Sequence, residues 1–123
     1  MSLTIDVREV QGVSILDLSG RLTLGESASA LREKLRGLAA GAGRNILLNL
    51  QGVSYVDSSG IGVLVSGYAT VTNSGGQLKL LNLTSRVKDV LVVTKLYTVF
   101  DVFNDEAAAV GSFNEASAAA GRA

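Results

Sequence analysis

Two apolar runs decide most of what this chain can become. NILLNL, Asn45 to Leu50, has almost no polar alternation, and QLKLLNL, Gln77 to Leu83, is nearly as continuous. A strand with one face in water alternates apolar and polar residues. A run that is apolar at nearly every position suits a strand covered on both faces. Between the two runs, Ile61, Leu64, Val65, Tyr68 and Val71 or Thr72 recur at helical spacing. The segment therefore reads as strand, short connection (QGVSYVDSSG), helix from about Ser59 to Asn73, and strand. Such a unit predicts two parallel strands joined by a right-handed crossover.

The flanks extend this unit. Leu3, Ile5 and Val7 alternate with polar residues, Val13, Ile15 and Leu16 or Leu18 do so less strictly, and Gln11-Gly12 between them reads as a hairpin turn. Thr23 followed by Glu26 has the spacing of a capping box, predicting a helix from about Leu24 to Ala40 that buries Ala28, Leu31, Leu35 and Leu38. Gly41 to Gly43 stops it. TSRVKDVLVVTKL reads as a third helix capped by Thr84 or Ser85, YTVFDVF as a last short strand, and Asn104 as the cap of a final helix with Asp105 and Glu106 in its first turn. The expectation is one α/β domain over residues 1–115. It has a mixed, mostly parallel sheet of four to five strands, about four helices, and a frayed small-residue tail over 116–123.

Composition removes several functions. There is no histidine and no cysteine, so the commonest general base, the commonest metal ligand and any disulfide are absent together. Neither a metal nor another cofactor is expected. Eleven Lys and Arg balance eleven Asp and Glu and are scattered, whereas a nucleic-acid reader shows a basic stripe. MSLTIDVREV lacks the basic start and apolar core of a secretory signal. The longest apolar stretch, Ile61 to Val71, is too short for a membrane span. A cytoplasmic protein with no membrane and no nucleic-acid partner is expected.

What remains is VSYVDSSGIGVL, Val53 to Leu64, with two hydroxyls beside a carboxylate at the mouth of a helix. A serine nucleophile needs a base. No histidine exists, and neither Ser58 nor Ser59 has a lysine at the Ser-x-x-Lys spacing. A dinucleotide loop needs a third glycine that Gly60 to Val65 lacks, and no P-loop motif occurs. No enzymatic turnover is expected. A plain cap accounts for one hydroxyl: Ser58 or Ser59 accepts a backbone N–H, and Asp57 complements the positive helix end. It leaves the outward side unexplained. Ser58, Gly62, Ser66 and Ala69 or Thr70 share one side of the helix, with Val63 beside them. No Lys or Arg occurs between Asp57 and Gln77. A flat face of small residues beside two hydroxyls suits docking to a partner.

These residues carry a resemblance. NILLNLQGVSYVDSSGIGVLVSGY, Asn45 to Tyr68, is similar to the signature of the STAS-domain anti-sigma factor antagonists, in which a buried strand leads into Asp-Ser-[Ser/Thr]-Gly-[Leu/Ile]-Gly and a helix. LSGRLTLGES near the start and the Gly-Gly-x-Leu strand at Gly75 to Leu80 extend the likeness over the domain. The resemblance implies a partner switch. The unphosphorylated protein binds an anti-sigma factor that is also a serine kinase and so frees the sigma factor. Phosphorylation maps to Ser58 and ends binding, and a serine phosphatase resets the switch. The partner-binding positions it implies are Arg21, Thr23, Asp57, Ser58, Ser59, Gly60, Gly62 and Val63. Two of them depart from the family, which often has acids where Arg21 and Thr23 stand, and its proline at the third helix is Ser85 here. The alternative is a STAS subunit held permanently in a lipid-transport ATPase or a stressosome-like assembly, with Ser58 unmodified.

Overall fold

The continuous apolar run is a central strand with a core on each side. In the computed structural model, which describes residues 3–41 and 44–122 (side chains through residue 114), β3 (Asn45–Val56) lies between β2 (Val13–Leu22) and β4 (Gln77–Leu81), parallel to both. Ile46, Leu48 and Leu50 point into one core and Leu47 into the other. Because both faces are covered, polar alternation is lost over the first half of the strand. β1 (Leu3–Val10) pairs antiparallel with β2 across Gln11 and Gly12, whose φ values of 50° and 80° give the primed turn that matches strand twist. β5 (Val102–Phe103) completes a mixed sheet in the order β1-β2-β3-β4-β5. The α/β class and the mostly parallel sheet are as expected from the sequence.

Helices α1 (Glu26–Ala40), α2 (Ser58–Asn73) and α3 (Ser85–Val93) supply the first core, through residues such as Leu31, Leu35, Leu64, Val71, Val87 and Leu91. Helix α4 (Glu106–Arg122) covers the opposite face with Ala109, Val110 and Phe113 against Val13, Ile15, Leu47 and Leu81. Lys79 lies under α4, only 7% exposed, with its ammonium 4.8 Å from the Phe113 ring centre and 2.9 Å from Ser112 Oγ. Arg8 ties the sheet to α4, with Nε 2.7 Å from Asp17 Oδ2 and Nη1 3.0 Å from Glu106 Oε2.

Several boundaries differ from expectation, each for a local reason. β3 runs on to Val56, so most of the expected connection is strand, pairing with β2 through register shifts that keep Val53 and Val56 in the core. β4 ends at Leu81 because Asn82 takes a left-handed φ of 55°. YTVFDVF forms part of a 3-10 turn (Leu96–Thr98) before the two-residue β5. Thr23 does not cap α1. Gly25, at φ 105°, inserts a turn before the helix, and Ser27 Oγ bonds both backbone groups of Thr23 instead (2.9 Å each). The cap of α4 is Asp105, which accepts the Ala108 N–H (2.9 Å), rather than Asn104. The boundary expected after residue 115 falls inside α4. The side chains beyond it lie outside the described residues, as do residues 42 and 43 of the glycine stop.

Candidate partner-docking site

The site assembles where β2 and β3 end side by side. Parallel pairing sets Arg21 beside Tyr55 and Leu22 beside Val56, so the chain leaves both strands at one end of the sheet. After β3 it enters α2 at once. After β2 it makes the turn through Thr23 and Leu24. Asp57 locks these two exits together. Its carboxylate accepts the Leu24 N–H at Oδ2 and the Gly60 N–H at Oδ1, each at 2.9 Å, while its own N–H donates to the Leu22 carbonyl (3.3 Å). Asp57 is therefore the N-cap of α2, in place of the serine cap expected from the sequence. The reason is spacing: a capping side chain reaches the backbone N–H two or three residues on, and Gly60 is three residues after Asp57.

The N–H groups of Leu24 and Gly60 hold the Asp57 carboxyl below its ordinary pKa of 3.8. A carboxyl whose pKa is lower folded than unfolded stabilises the fold above the unfolded value, and that stability is lost as pH falls through the folded value. Asp57→Ala should therefore melt several degrees below wild type at neutral pH, and the gap should close as the pH falls below 3.8. Melting both proteins at neutral and at acidic pH checks this; a gap that ignores pH would assign Asp57 no such role.

With the cap supplied by Asp57, both serines are released. Ser58 is the first residue of α2 and is exposed; Ser59 is half-buried. Among the described residues no hydrogen bond engages either hydroxyl. Gly62, Ser66, Ala69 and Thr70 continue the exposed side of α2, as expected. Ser66 and Thr70 also line a groove of about 140 Å³ against Arg32 and Arg36 of α1, so the neighbouring helix supplies the cations that α2 lacks. Arg21 is exposed, with its guanidinium carbon over the Tyr55 ring, 4.8 Å from the ring centre. Thr23 is half-buried with its backbone engaged by Ser27.

Two expected contact residues are not on the surface. Val63 is 0% exposed, turned inward into the first core. Gly60 is buried because α2 begins against β2: a Cβ there would collide with the Leu22 carbonyl oxygen and lie 2.9 Å from both Leu22 Cγ and Val56 Cγ1. Gly62 has nothing within 4 Å of such a Cβ. One surface residue was missed: Leu24, read as the first residue of a helix, is 78% exposed on the turn bonded to Asp57.

Among the described residues, neither Ser58 nor Ser59 is hydrogen-bonded to a base. The Ser-x-x-Lys spacing that does occur, Ser85 to Lys88, lies on the exposed first turn of α3, with no hydrogen bond between the two side chains among the described residues. Among the described residues no three acids gather as a metal site, and no helix is long and apolar enough to cross a membrane.

Comparison with known proteins places this geometry. The STAS domain family matches residues 4–109. The anti-sigma-B factor antagonist of Bacillus subtilis (strain 168) is 35% identical over 102 residues, covering 83% of this chain and 92% of that protein. A solved structure from Thermotoga maritima, described as a candidate anti-sigma factor antagonist, superposes with a TM-score of 0.81 at 25% identity, over 89% of this chain and 94% of the other. The Bacillus cell fate determinant SpoIIAA, solved in its phosphorylated form, has the same fold (TM-score 0.71, 21% identity, 89% and 98% covered). The chain belongs to the STAS domain family and, within it, to the anti-sigma factor antagonists.

Proposed function

We propose that this protein is a phosphorylation-controlled partner switch. In the cytoplasm its unphosphorylated form binds an anti-sigma factor that is a serine kinase, and the sigma factor is released. Phosphate on Ser58 ends the complex, and a serine phosphatase restores it. The observation that carries this reading is an exposed Ser58 hydroxyl at the first residue of α2, free of any capping duty because Asp57 performs it. A phosphate added there brings about −1.5 to −2 charges to a helix N-terminus, which the backbone donors favour, so the fold tolerates it. At a docked interface the same charge must be desolvated beside Asp57, so the complex does not tolerate it. A protein of this fold has been solved phosphorylated, which agrees with the first half of that statement.

The docking surface on this reading is Ser58, Gly62, Ser66 and Thr70 along α2, with Leu24 and Arg21 on the adjoining strand exit. Gly62→Leu should then separate folding from binding. No atom stands where the new side chain begins, and replacing glycine in a helix gains up to about 1 kcal/mol, so the melting temperature should hold or rise. Affinity for the anti-sigma partner should fall more than about tenfold, because the side chain holds the partner away from the helix. Unchanged affinity would move the interface off this side of α2.

The direct test is incubation with the cognate kinase and ATP, with the phosphate located by mass spectrometry. Phosphate on Ser58 is the expected result. Phosphate on neither serine, with a kinase active on a control substrate, would overturn the switch and leave a constitutively docked subunit.

A further inference from the structure

One cluster at this end of the sheet extends beyond the docking surface described above and shares only Arg21 with it. Arg21 and Arg86 both approach the ring of Tyr55, with guanidinium carbons 4.8 Å and 5.7 Å from its centre. Both arginines are exposed, and neither is in an ion pair among the described residues. Their meeting is built by two specific devices. The register between β2 and β3 slips after Gly20, which pairs with Val53, so that Arg21 pairs with Tyr55 and Ser54 is left over; its hydroxyl bonds the Gly20 carbonyl (3.2 Å). A bulge of this kind re-aims side chains at strand ends. Thr84 Oγ1 donates to the Val53 carbonyl (3.2 Å) while accepting the Val87 N–H, which pins the start of α3 against the same stretch of β3 and delivers Arg86.

Arg86 is also the wrong charge for its position. It is the second residue of α3, and a helix N-terminus disfavours a cation. A residue that breaks a local rule without a compensating partner in the fold points to a task outside it. An arginine whose guanidinium lies over an aromatic ring and has no ion-pair partner keeps its fork of donors available for carboxylates. Tyr55 is two residues before Asp57, so the cluster borders the strand exit that carries Ser58.

We propose that Arg21, Tyr55 and Arg86 form a second contact that reads carboxylates on the anti-sigma partner and so sets which partner this chain accepts. This rests on the switch reading above. The complementary surface is acidic protein, since two guanidiniums on one ring present fixed positive charge and α3 brings no acid into an ion pair with them among the described residues.

The test is calorimetric titration of the cognate kinase with wild type, Arg21→Glu, Arg86→Glu, Tyr55→Phe, Tyr55→Ala and Ser58→Asp, at low and high salt, with a thermal melt of each. Each arginine reversal should weaken binding by about tenfold or more and flatten its salt dependence, with melting unchanged for Arg21→Glu and unchanged or raised for Arg86→Glu, where the helix N-terminus favours an acid. Tyr55→Phe should bind as wild type because the ring remains, and Tyr55→Ala should bind weakly. If wild type binds, Ser58→Asp does not, and both arginine reversals bind as wild type, the second contact is wrong while the switch stands. If wild type shows no binding, or Ser58→Asp binds equally well, the switch reading fails and this contact fails with it.

Discussion

Gly60→Val is expected to be the most damaging single change near the site, and the damage is to the fold before it is to binding. The added Cβ meets the Leu22 carbonyl oxygen, an atom of the β2 backbone, as well as Leu22 Cγ and Val56 Cγ1 at 2.9 Å. A flexible side chain could swing aside; a strand carbonyl cannot. That carbonyl also accepts the Asp57 N–H, so any retreat of β2 loosens the joint at which α2 starts. Forcing bulk into a packed interior costs about 1–3 kcal/mol and sometimes more, and a backbone collision lies at the upper end. Gly60→Val should lose about 3 kcal/mol, and Gly60→Ala somewhat less. Gly62→Ala, two residues on, meets nothing and should gain up to about 1 kcal/mol. Urea denaturation of the three variants against wild type measures this. Equal stability of Gly60→Ala and Gly62→Ala would show that α2 does not seat on β2 as described. Any folded fraction of Gly60→Val should also bind the anti-sigma partner poorly, since Ser58 is placed by the joint that is disturbed.

The same pair of glycines marks the limit of what the letters convey. In the sequence, Gly60 and Gly62 are alike: both follow the serines and both fall on a helix. They differ because β2, far away in the chain, passes beneath one and not the other, a tertiary fact that no local pattern encodes. The central strands were legible for the opposite reason. NILLNL must be covered on both faces wherever it sits, and the burial of Ile46, Leu47 and Leu48 follows from its composition alone. The Gln11-Gly12 turn was legible because its positive φ values restrict the residues that can make it.

Capping was half legible. The helix start was legible, but the expected cap was a serine, with Ser59 the better placed, and Asp57 only a complement to the helix dipole. The bond from the Gly60 N–H to Asp57 gives the cap to Asp57 instead. Thr23 and Glu26 had the right spacing for a capping box, yet Gly25 at φ 105° delays α1 past it. Tyr55 and Arg86 were not legible as site residues at all. They meet Arg21 only through a slipped register and a threonine pinned to another strand.

Ser58→Asp should abolish most binding without unfolding the protein, and the reasons for the two halves are separate. As the first residue of α2, Ser58 stands where the helix dipole favours an acid by about 0.3–1 kcal/mol, and its own hydroxyl makes no cap whose loss would be felt. The melt should therefore stay near wild type. At the docking surface the new carboxylate lies next to Asp57, which is already ionised at neutral pH, and both would have to be desolvated together. A loss of about a hundredfold in affinity, about 2.8 kcal/mol, is expected. Ser58→Ala should bind as wild type and remain bound when kinase and ATP are supplied. Ser59→Ala separates the two hydroxyls. Since Asp57 holds the cap, its stability should lie within about 0.5 kcal/mol of wild type, and it should still be phosphorylated at Ser58. Titration calorimetry, melts and mass spectrometry of the three variants decide the matter together. A folded Ser58→Asp that binds as tightly as wild type would mean that charge at the start of α2 is not what separates the partners. A Ser59→Ala protein that lost stability would return the cap to the serine and leave the Asp57 bond to Leu24 as a tether between the two strand exits alone.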